Sequence, residues 1–284
     1  MHIQSIRLLG DETPVALIFG TGDIASAIAR GLFLSHWGVM MLRDEAVPVM
    51  RRGMAFDDAL EDGVVELEGV WGARATAAEM LPILARGREA VVVARLDPAV
   101  VSNACRAIVS VLIDARMRKY AAPADLRPLA ACAIGVGPGF VAGENVDIAI
   151  ETLPGQEGDV VSHGPTATPT GRSVPLGGAK EERFACALTA GAWEPFVPLG
   201  AFVEAGTPLG FLGESEVRAP IDGCVRGVVR AMPNGVARGA KLVELDPRPG
   251  APSTGVPPRA RRIAAGVQRA VGALWPVRPM LAVG

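Results

Sequence analysis

The sequence predicts an α/β protein in which a mostly parallel sheet with covering helices precedes a smaller β-rich part. Between residue 15 and about residue 120, short apolar runs alternate with longer stretches of helical spacing, as in strands joined by helices. Beyond residue 184 the chain repeats a pattern of short strands. Half of the 284 residues are apolar, which supplies enough material for a large core.

Charge and cysteine content exclude several classes of protein. Lys and Arg number 28 against 30 Asp and Glu, which is not the footprint of a nucleic-acid binder or a membrane-surface protein. The cysteines Cys105, Cys132, Cys186 and Cys224 form no CxxC pair, so neither a zinc ribbon nor a disulfide framework is indicated. Without a signal peptide or a membrane-spanning apolar run, we expect a soluble cytoplasmic protein, and a homo-oligomer stays open.

The stretch LIFGTGDIASAIA, residues 17–29, carries the strongest motif. Gly20, Gly22 and Ala25 form G-x-G-x-x-A after a predicted strand and at the start of a predicted helix, which is the context of a dinucleotide-binding fingerprint. Gly20 permits the turn, Gly22 lets a phosphate approach the backbone, and Thr21 lies between them. The free N–H groups at the helix start attract an anion.

Two acidic residues complicate this interpretation. Asp44 follows the next predicted strand, where a carboxylate can accept hydrogen bonds from a ribose. Asp23 directly follows Gly22, and a carboxylate there satisfies the same N–H groups that a phosphate would use. A turn in which Asp23 caps the helix and the glycines serve packing is therefore the alternative.

Two further segments are candidate anion-binding elements. Arg51 and Arg52 follow the second predicted strand, and their guanidinium groups suit phosphate or carboxylate, although a charged surface turn is the alternative. The loop GVGPGFVAGEN contains Gly137, Gly139 and Gly143, whose backbone N–H groups can point at an anion.

The region from residue 187 to residue 245 contains an internal repeat. Its pattern A-x3-G-x11/12-V-x2-G-x2-L occurs twice, with the members Ala187, Gly191, Val203, Gly206 and Leu209 and then Ala219, Gly223, Val236, Gly239 and Leu242. The repeat predicts two interlocking halves related by a pseudo-twofold axis. It resembles the barrel-sandwich hybrid of biotinyl and lipoyl domains, but the matching hairpin LGESEVRAP lacks their modifiable lysine.

These features predict four segments. Residues 1–152 form a Rossmann-like α/β domain, residues 153–183 an extended loop rich in Gly and Pro, residues 184–248 the barrel-sandwich hybrid, and residues 249–284 an amphipathic helix and tail. In the helix, Ile263, Val267, Ala270 and Leu274 lie at helical intervals.

The chain as a whole resembles the YqeB-like family, the accessory proteins of selenium-dependent molybdenum hydroxylase systems. The resemblance rests on FGTGDIASAIARGL, PVMRRGMAFDDAL, GVGPGFVAGENVDIAIET and APIDGCVRGVV, in this order. It implies a Rossmann-like domain related to that of the xanthine dehydrogenase accessory proteins. The family motif positions fall on Gly20, Gly22, Asp23, Arg51, Arg52, Gly137, Gly139, Gly143 and Glu151.

The resemblance implies an accessory protein for molybdenum hydroxylase maturation. Such a protein would bind the molybdenum cofactor, as molybdopterin or its dinucleotide, or another nucleotide, and would have hydroxylase subunits as partners. Cys105 and Cys132 are conceivable sulfur donors or molybdenum ligands, with burial in the core as the alternative. A second hypothesis is an NAD(P)-dependent oxidoreductase, for which Lys119 and Tyr120 are the nearest proton donors. A third is a scaffold without catalytic activity.

Overall fold

The computed structural model describes residues 13–76, 78–79, 90–95, 108–118, 121–169 and 171–275. Three α-helices have both ends within these ranges, namely α1 (Asp23–Leu34), α2 (Ala59–Asp62) and α3 (Pro258–Leu274). Single 3-10 turns occur at Arg52–Met54, Arg127–Leu129 and Glu181–Arg183. No described helix is both long and apolar enough to cross a membrane.

The largest sheet in the described part of the chain has nine strands. They are β1 (Val15–Phe19), β2 (Gly38–Arg43), β3 (Val64–Leu67), β4 (Val70–Arg74), β5 (Val91–Arg95), β6 (Val111–Asp114), β7 (Cys132–Val136), β9 (Ile148–Ile150) and β10 (Val160–Val161). Their order is β10-β9-β7-β6-β1-β2-β5-β4-β3. The strands from β9 to β4 run parallel, whereas β10 and β3 pair antiparallel at the two edges.

Each face of this sheet buries a separate apolar core. On one face, side chains such as Ile18 and Ile28 are fully buried together with Ile263 of α3. On the other face, Leu17 and Leu112 are fully buried. Because β1 contributes alternate residues to both cores, its run of five buried residues is wholly apolar.

The last helix completes the first of these cores. In α3, Ile263, Val267 and Ala270 are buried, as the helical spacing predicts, but Leu274 is 46% exposed. The α3 side chain Gln268 donates from Nε2 to the Gly31 carbonyl of α1 at 3.1 Å. The end of the chain therefore packs back against the first helix.

The β-rich part contains two four-stranded sheets among the described residues. Its strands are β12 (Phe184–Cys186), β13 (Gly191–Pro195), β14 (Phe202–Val203), β15 (Pro208–Leu212), β16 (Ser215–Arg218), β17 (Gly223–Val228), β18 (Met232–Val236) and β19 (Lys241–Asp246). The sheet orders are β12-β19-β17-β14 and β16-β15-β13-β18. A further two-stranded pair joins β8 (Val141–Ala142) to β11 (Gly164–Pro165).

The strand orders confirm the internal repeat. Strands β12–β15 form the first repeat and β16–β19 the second, and each sheet takes two strands from each. The counterparts in the two repeats are β12 and β16, β13 and β17, β14 and β18, and β15 and β19. When each strand of the order β12-β19-β17-β14 is replaced by its counterpart, the result is β16-β15-β13-β18, which is the order of the other sheet. Gly191 and Gly223, which the motif aligns, are the first residues of β13 and β17.

The predicted fold class, a Rossmann-like domain followed by a barrel-sandwich hybrid of the biotinyl or lipoyl type, is wrong. The chain instead forms a large mixed sheet with antiparallel edges, and its described part contains far more strand than helix. The patterns along the sequence identify individual strands, but the order of the strands and the direction of the edges depend on contacts between distant segments. The boundaries of the four predicted segments stay predictions.

The β-rich part contacts the loop that follows β2. Val228 of β17 donates its backbone N–H to the Met50 carbonyl at 2.8 Å. A Cβ on Gly227 would lie 3.0 Å from Met50, so only a glycine lets these backbones approach so closely. This contact brings the smaller sheets to the end of the large sheet at which β1 and β2 terminate.

Candidate functional site

The turn after β1 requires a glycine at its first motif position. Gly20 has φ +106°, and its N–H donates to the Leu42 carbonyl at 2.8 Å. A Cβ on Gly20 would lie 3.1 Å from the carbonyl oxygen of Ala115, just beyond β6. Both the backbone conformation and the packing therefore exclude a larger residue.

Gly22, two residues later, is under neither constraint. It is the N-cap of α1, with φ −70° and ψ −178°, which any residue adopts. A Cβ on Gly22 would meet no atom within 4 Å. The alternative interpretation, in which the motif glycines serve only packing, therefore explains Gly20 but does not explain Gly22.

The space beside Gly22 belongs to a crevice of about 330 Å³. This glycine crevice opens where β1, β2 and β6 end, and the loop after β2 forms its far side. Its lining consists of Gly20, Thr21, Gly22, Asp23, Ile24, Asp44, Val47, Pro48, Val49, Met50, Arg51, Ala115, Arg116 and Met117. Crevices at the carboxyl ends of parallel strands are common ligand sites.

Thr21 supports the turn from inside the protein. Its hydroxyl donates to a carboxylate oxygen of Asp57 at 2.5 Å, and both side chains are buried. Burial raises the pKa of Asp57, although the charge of Arg43 and the Thr21 hydroxyl oppose the shift. The Thr21 hydroxyl is therefore bound to Asp57 and is not available to a ligand. Thr21 can contact a ligand in the crevice only through its backbone.

Asp23 belongs to a chain of ion pairs between α1 and the smaller sheets. Its carboxylate accepts from Arg51 Nη1 at 2.8 Å. Arg51 also donates to both oxygens of Glu244 on β19, at 2.7 and 3.0 Å. Glu244 is fully buried and accepts a further hydrogen bond from Arg183 Nε at 3.1 Å. Asp23 therefore anchors Arg51, and no side-chain capping bond is made at the N-cap of α1.

In this series of ion pairs, the effect of charge pairing on the pKa values outweighs the effect of burial. Burial alone would raise the pKa of Asp23, but the charge and hydrogen bond of Arg51 hold that pKa below its usual value. The pKa of Glu244 is lowered in the same way, against burial, by Arg51 and Arg183. Burial opposes the charge of Arg51, yet its two carboxylate partners raise its pKa. All three groups are consequently ionised near neutral pH.

Asp44 lines the glycine crevice but is already paired. One carboxylate oxygen accepts from the backbone N–H of Ala46 at 3.0 Å. The other forms an ion pair with Arg118 and lies 3.8 Å from Arg116 Nη1. The Asp44 carboxylate is therefore engaged by protein charges, although its Oδ2 accepts no hydrogen bond among the described residues.

The remaining predicted site residues lie outside the glycine crevice. Arg52 points away and donates to both oxygens of Asp58, at 2.8 and 2.9 Å. Gly137, Gly139 and Gly143 all have positive φ, which explains their residue type. The N–H groups of Gly137 and Gly143 donate to the carbonyls of Ile150 and Val146, at 3.0 and 2.8 Å, so these two groups are not available to an anion.

A second crevice, of about 280 Å³, adjoins the first. The two share a dividing wall made of Asp23, Ile24, Arg51 and Met117. We call it the basic crevice because its lining includes five cationic side chains, namely Arg51, Arg172, Arg183, Lys241 and Arg259. Sequence reasoning missed this site and also missed Glu244, since its members come from segments far apart in the chain.

The described cysteines do not form a reactive centre. Burial raises the pKa of the Cys132 thiol to about 11, and Asp147 adds to the shift. Burial likewise raises the pKa values of Cys186 and Cys224. A thiol with a raised pKa is a poor metal ligand or sulfur donor near neutral pH. Cys105, Lys119 and Tyr120 lie outside the described residues.

The comparisons with known proteins include one curated relative and two weakly similar structures. No protein-family model matches the sequence. The chain is 34% identical over 268 residues to the uncharacterized protein YqeB of Escherichia coli strain K12, and the match covers 90% of this chain and 47% of that protein. The chain is therefore similar to YqeB over most of its own length and spans about half the length of this relative. Because YqeB is uncharacterized, it gives no support to the assignment as a molybdenum hydroxylase accessory protein.

Two solved structures show a weak likeness to most of the chain. An aspartoacylase family protein from Mesorhizobium loti is 12% identical with a TM-score of 0.27. A succinylglutamate desuccinylase/aspartoacylase from Rhodobacter sphaeroides is 16% identical with a TM-score of 0.24. In both comparisons 82% of this chain and 85% of the other are covered. TM-scores this low establish no shared fold.

Proposed function

We propose that this protein binds a phosphate-bearing cofactor in the glycine crevice, with the phosphate against the backbone at Gly22. One observation carries the proposal: Gly22 has an ordinary backbone conformation and open space where a Cβ would lie. The fold does not account for a glycine there, whereas close approach of a ligand to the backbone does. The partial positive charge at the start of α1 favours a phosphate at this point.

The ligand that we favour is the molybdenum cofactor, as molybdopterin or its dinucleotide, or another nucleotide. Each carries the phosphate that this turn suits. The pairing of Asp44 with Arg118 engages the carboxylate that would bind a ribose. This pairing favours molybdopterin itself, which has no ribose, over NAD(P) and over the other candidates that contain a ribose. An NAD(P)-dependent oxidoreductase is therefore the second candidate, and a scaffold without a ligand is the third.

The wider role is part of the same proposal. A protein that holds the molybdenum cofactor would deliver it to subunits of a molybdenum hydroxylase in the cytoplasm. The chain's own residues would bind and orient the phosphate: the Gly20–Gly22 backbone provides the surface, and the Asp23–Arg51 pair fixes the loop opposite it. This role is what the resemblance of the sequence motifs to the YqeB-like family implies.

Two substitutions of Gly22 test the proposal. Asp and Asn are both strong N-cap residues, so Gly22→Asp and Gly22→Asn should keep the free energy of unfolding within a few tenths of a kcal/mol of wild type. Both side chains fill the crevice, but only Asp adds a negative charge. We expect cofactor binding to weaken about tenfold in Gly22→Asn and about a hundredfold or more in Gly22→Asp, as order-of-magnitude estimates.

The measurement is isothermal titration of anaerobically prepared protein with molybdopterin, its cytidine and guanine dinucleotides, NAD and NADP. Binding of NAD or NADP alone would move the assignment to the oxidoreductase. Wild-type affinity in both variants would contradict the proposal, and so would losses of affinity that merely track losses of stability.

A further inference from the structure

Three buried polar side chains lie beneath the turn that follows β1. Thr21, Ser26 and Asp57 are at most 2% exposed, and the core on this side of the large sheet is otherwise built from apolar residues. A buried polar group is costly unless it finds a hydrogen-bond partner. The partners of these three side chains therefore show which part of the backbone they hold in place.

Ser26, in the first turn of α1, connects the turn to a distant segment. Its hydroxyl donates to the Thr21 carbonyl at 3.1 Å and accepts the backbone N–H of Phe56 at 2.9 Å. A serine hydroxyl has one proton to donate, and this proton is used on Thr21. The Ser26 side chain therefore has a fixed orientation and satisfies a buried backbone group on each side.

The bond from Ser26 orients the peptide group between Thr21 and Gly22. No cis peptide bond occurs among the described residues, and a trans peptide points its carbonyl and its N–H in opposite directions. Because the Thr21 carbonyl points inward at Ser26, the Gly22 N–H points outward, on the side where Gly22 lines the glycine crevice. This N–H donates to no other group in the described part of the chain.

Gly22 itself does not prevent the opposite orientation of this peptide. Reversing the peptide would move φ of Gly22 from −70° to a positive value, which glycine adopts readily. The Thr21 carbonyl would then face the crevice and repel a phosphate. The glycine that leaves room for a ligand therefore needs a restraint from elsewhere, and the Ser26 hydroxyl supplies it.

The loop after β2 holds the turn at two further points. The Thr21 hydroxyl donates to Asp57 at 2.5 Å, and Arg51 of the same loop binds Asp23 at 2.8 Å. These contacts fix a side chain on either side of Gly22. Only the contact through Ser26, among these three, acts on the peptide whose N–H faces the crevice.

We propose that Ser26 is a positioning residue of the glycine crevice, which turns the Gly22 N–H toward the ligand phosphate and keeps the Thr21 carbonyl away from it. The inference rests on the function proposed above, because it names the backbone donor that the phosphate would meet. Ser26 does not touch the ligand, since it is fully buried behind the turn.

The variants remove one hydroxyl at a time. Ser26→Ala keeps a small side chain without the hydroxyl, and Ser26→Cys keeps a weaker donor. The matched control is Thr166→Val, which removes a buried hydroxyl that donates to the carbonyls of Gly137 and Phe140 at 2.8 and 3.2 Å. Thr166 does not line the glycine crevice. Ser26→Ala and Thr166→Val should lose comparable stability, because each leaves buried backbone groups without a partner.

Two measurements on the full chain separate positioning from stability. The first is isothermal titration of each anaerobically prepared protein with the cofactors named above, well below the melting temperature of every variant. The second is nuclear magnetic resonance of isotope-labelled protein without ligand. The three-bond couplings between the Gly22 N–H and its two α protons report φ of Gly22 and therefore detect a reversed peptide.

We expect Ser26→Ala to bind the cofactor at least about tenfold more weakly than wild type, Ser26→Cys to fall between the two, and Thr166→Val to keep wild-type affinity. The Gly22 couplings should match a negative φ in wild type and Thr166→Val and should change in Ser26→Ala. Wild-type affinity or unchanged couplings in Ser26→Ala, or an equal loss of affinity in Thr166→Val, would overturn the role of Ser26 alone. Absence of cofactor binding in wild type would overturn the proposed function, and with it the role of Ser26 toward a ligand.

Discussion

The two crevices share a wall but differ in what defines them. The glycine crevice is defined by space, since Gly22 leaves room at a helix N-terminus and Arg51 on its far side is neutralised by Asp23 and Glu244. The basic crevice is instead lined by cationic side chains that come from distant segments of the chain. The comparison teaches that a crevice can be encoded locally, in a turn, or globally, by side chains that only the tertiary structure brings together.

The largest expected effect on stability comes from removing Glu244, which holds Arg51 in the dividing wall between the crevices. Glu244 is fully buried between Arg51 and Arg183, so Glu244→Ala leaves two arginines without their shared anion. Removing one member of a buried ion pair costs about 3–5 kcal/mol. We expect a loss of this size in the free energy of unfolding from urea titration, together with weaker ligand binding in the glycine crevice.

The control for this variant is Glu194→Ala. Glu194 is exposed on β13, and a surface substitution of this kind usually changes stability by less than about 0.5 kcal/mol. Equal effects of the two substitutions would show that Glu244 does not hold the wall together.

The next effect sharpens the difference between the two motif glycines. Gly20→Ala introduces a Cβ at φ +106° and 3.1 Å from the Ala115 carbonyl oxygen, which should cost about 1–3 kcal/mol. Gly22→Asn should leave stability nearly unchanged, for the reason given above. Thermal unfolding of the two proteins under the same conditions checks this contrast, and a similar loss in both would mean that Gly22 is also a packing residue.

The smallest expected effect is the loss of stability that acid pH causes through Asp23 and Glu244. The pKa values of Asp23 and Glu244 are lowered in the folded protein, so their contribution to stability is fully present above their ordinary pKa values near 4. It is lost as the pH falls below about 4 and through the lowered values. Urea midpoints between about pH 3 and pH 7 should decline more steeply for wild type than for Glu244→Gln, and parallel declines would contradict this assignment.

The sequence predicted the parts of the site that depend on local geometry. A strand, two glycines and a helix follow each other along the chain, and the structure places Gly20, Thr21, Gly22, Asp23, Asp44 and Arg51 around one crevice. The internal repeat was also visible, because each half carries its own turn glycines. These features depend on a few neighbouring residues, whose types reflect backbone conformation directly.

The sequence failed where partners are distant. Arg51 and Glu244 are 193 positions apart, and no local pattern pairs them. Asp44 was predicted to bind a ribose, but the chain brings Arg118 back to it across the sheet. The fold class was wrong for a related reason, since the antiparallel edge strands and the return of α3 to α1 depend on tertiary contacts.

The most direct test of the central claim is native mass spectrometry of the anaerobically purified protein, wild type and Gly22→Asp, with the cofactors named above. The account predicts that wild type retains or selectively binds a phosphate-bearing cofactor, and that Gly22→Asp loses this adduct while its unfolding transition stays unchanged. If wild type forms no adduct with any of these cofactors, or if Gly22→Asp forms the same adduct to the same extent, then the space at Gly22 does not hold a phosphate and the account is contradicted.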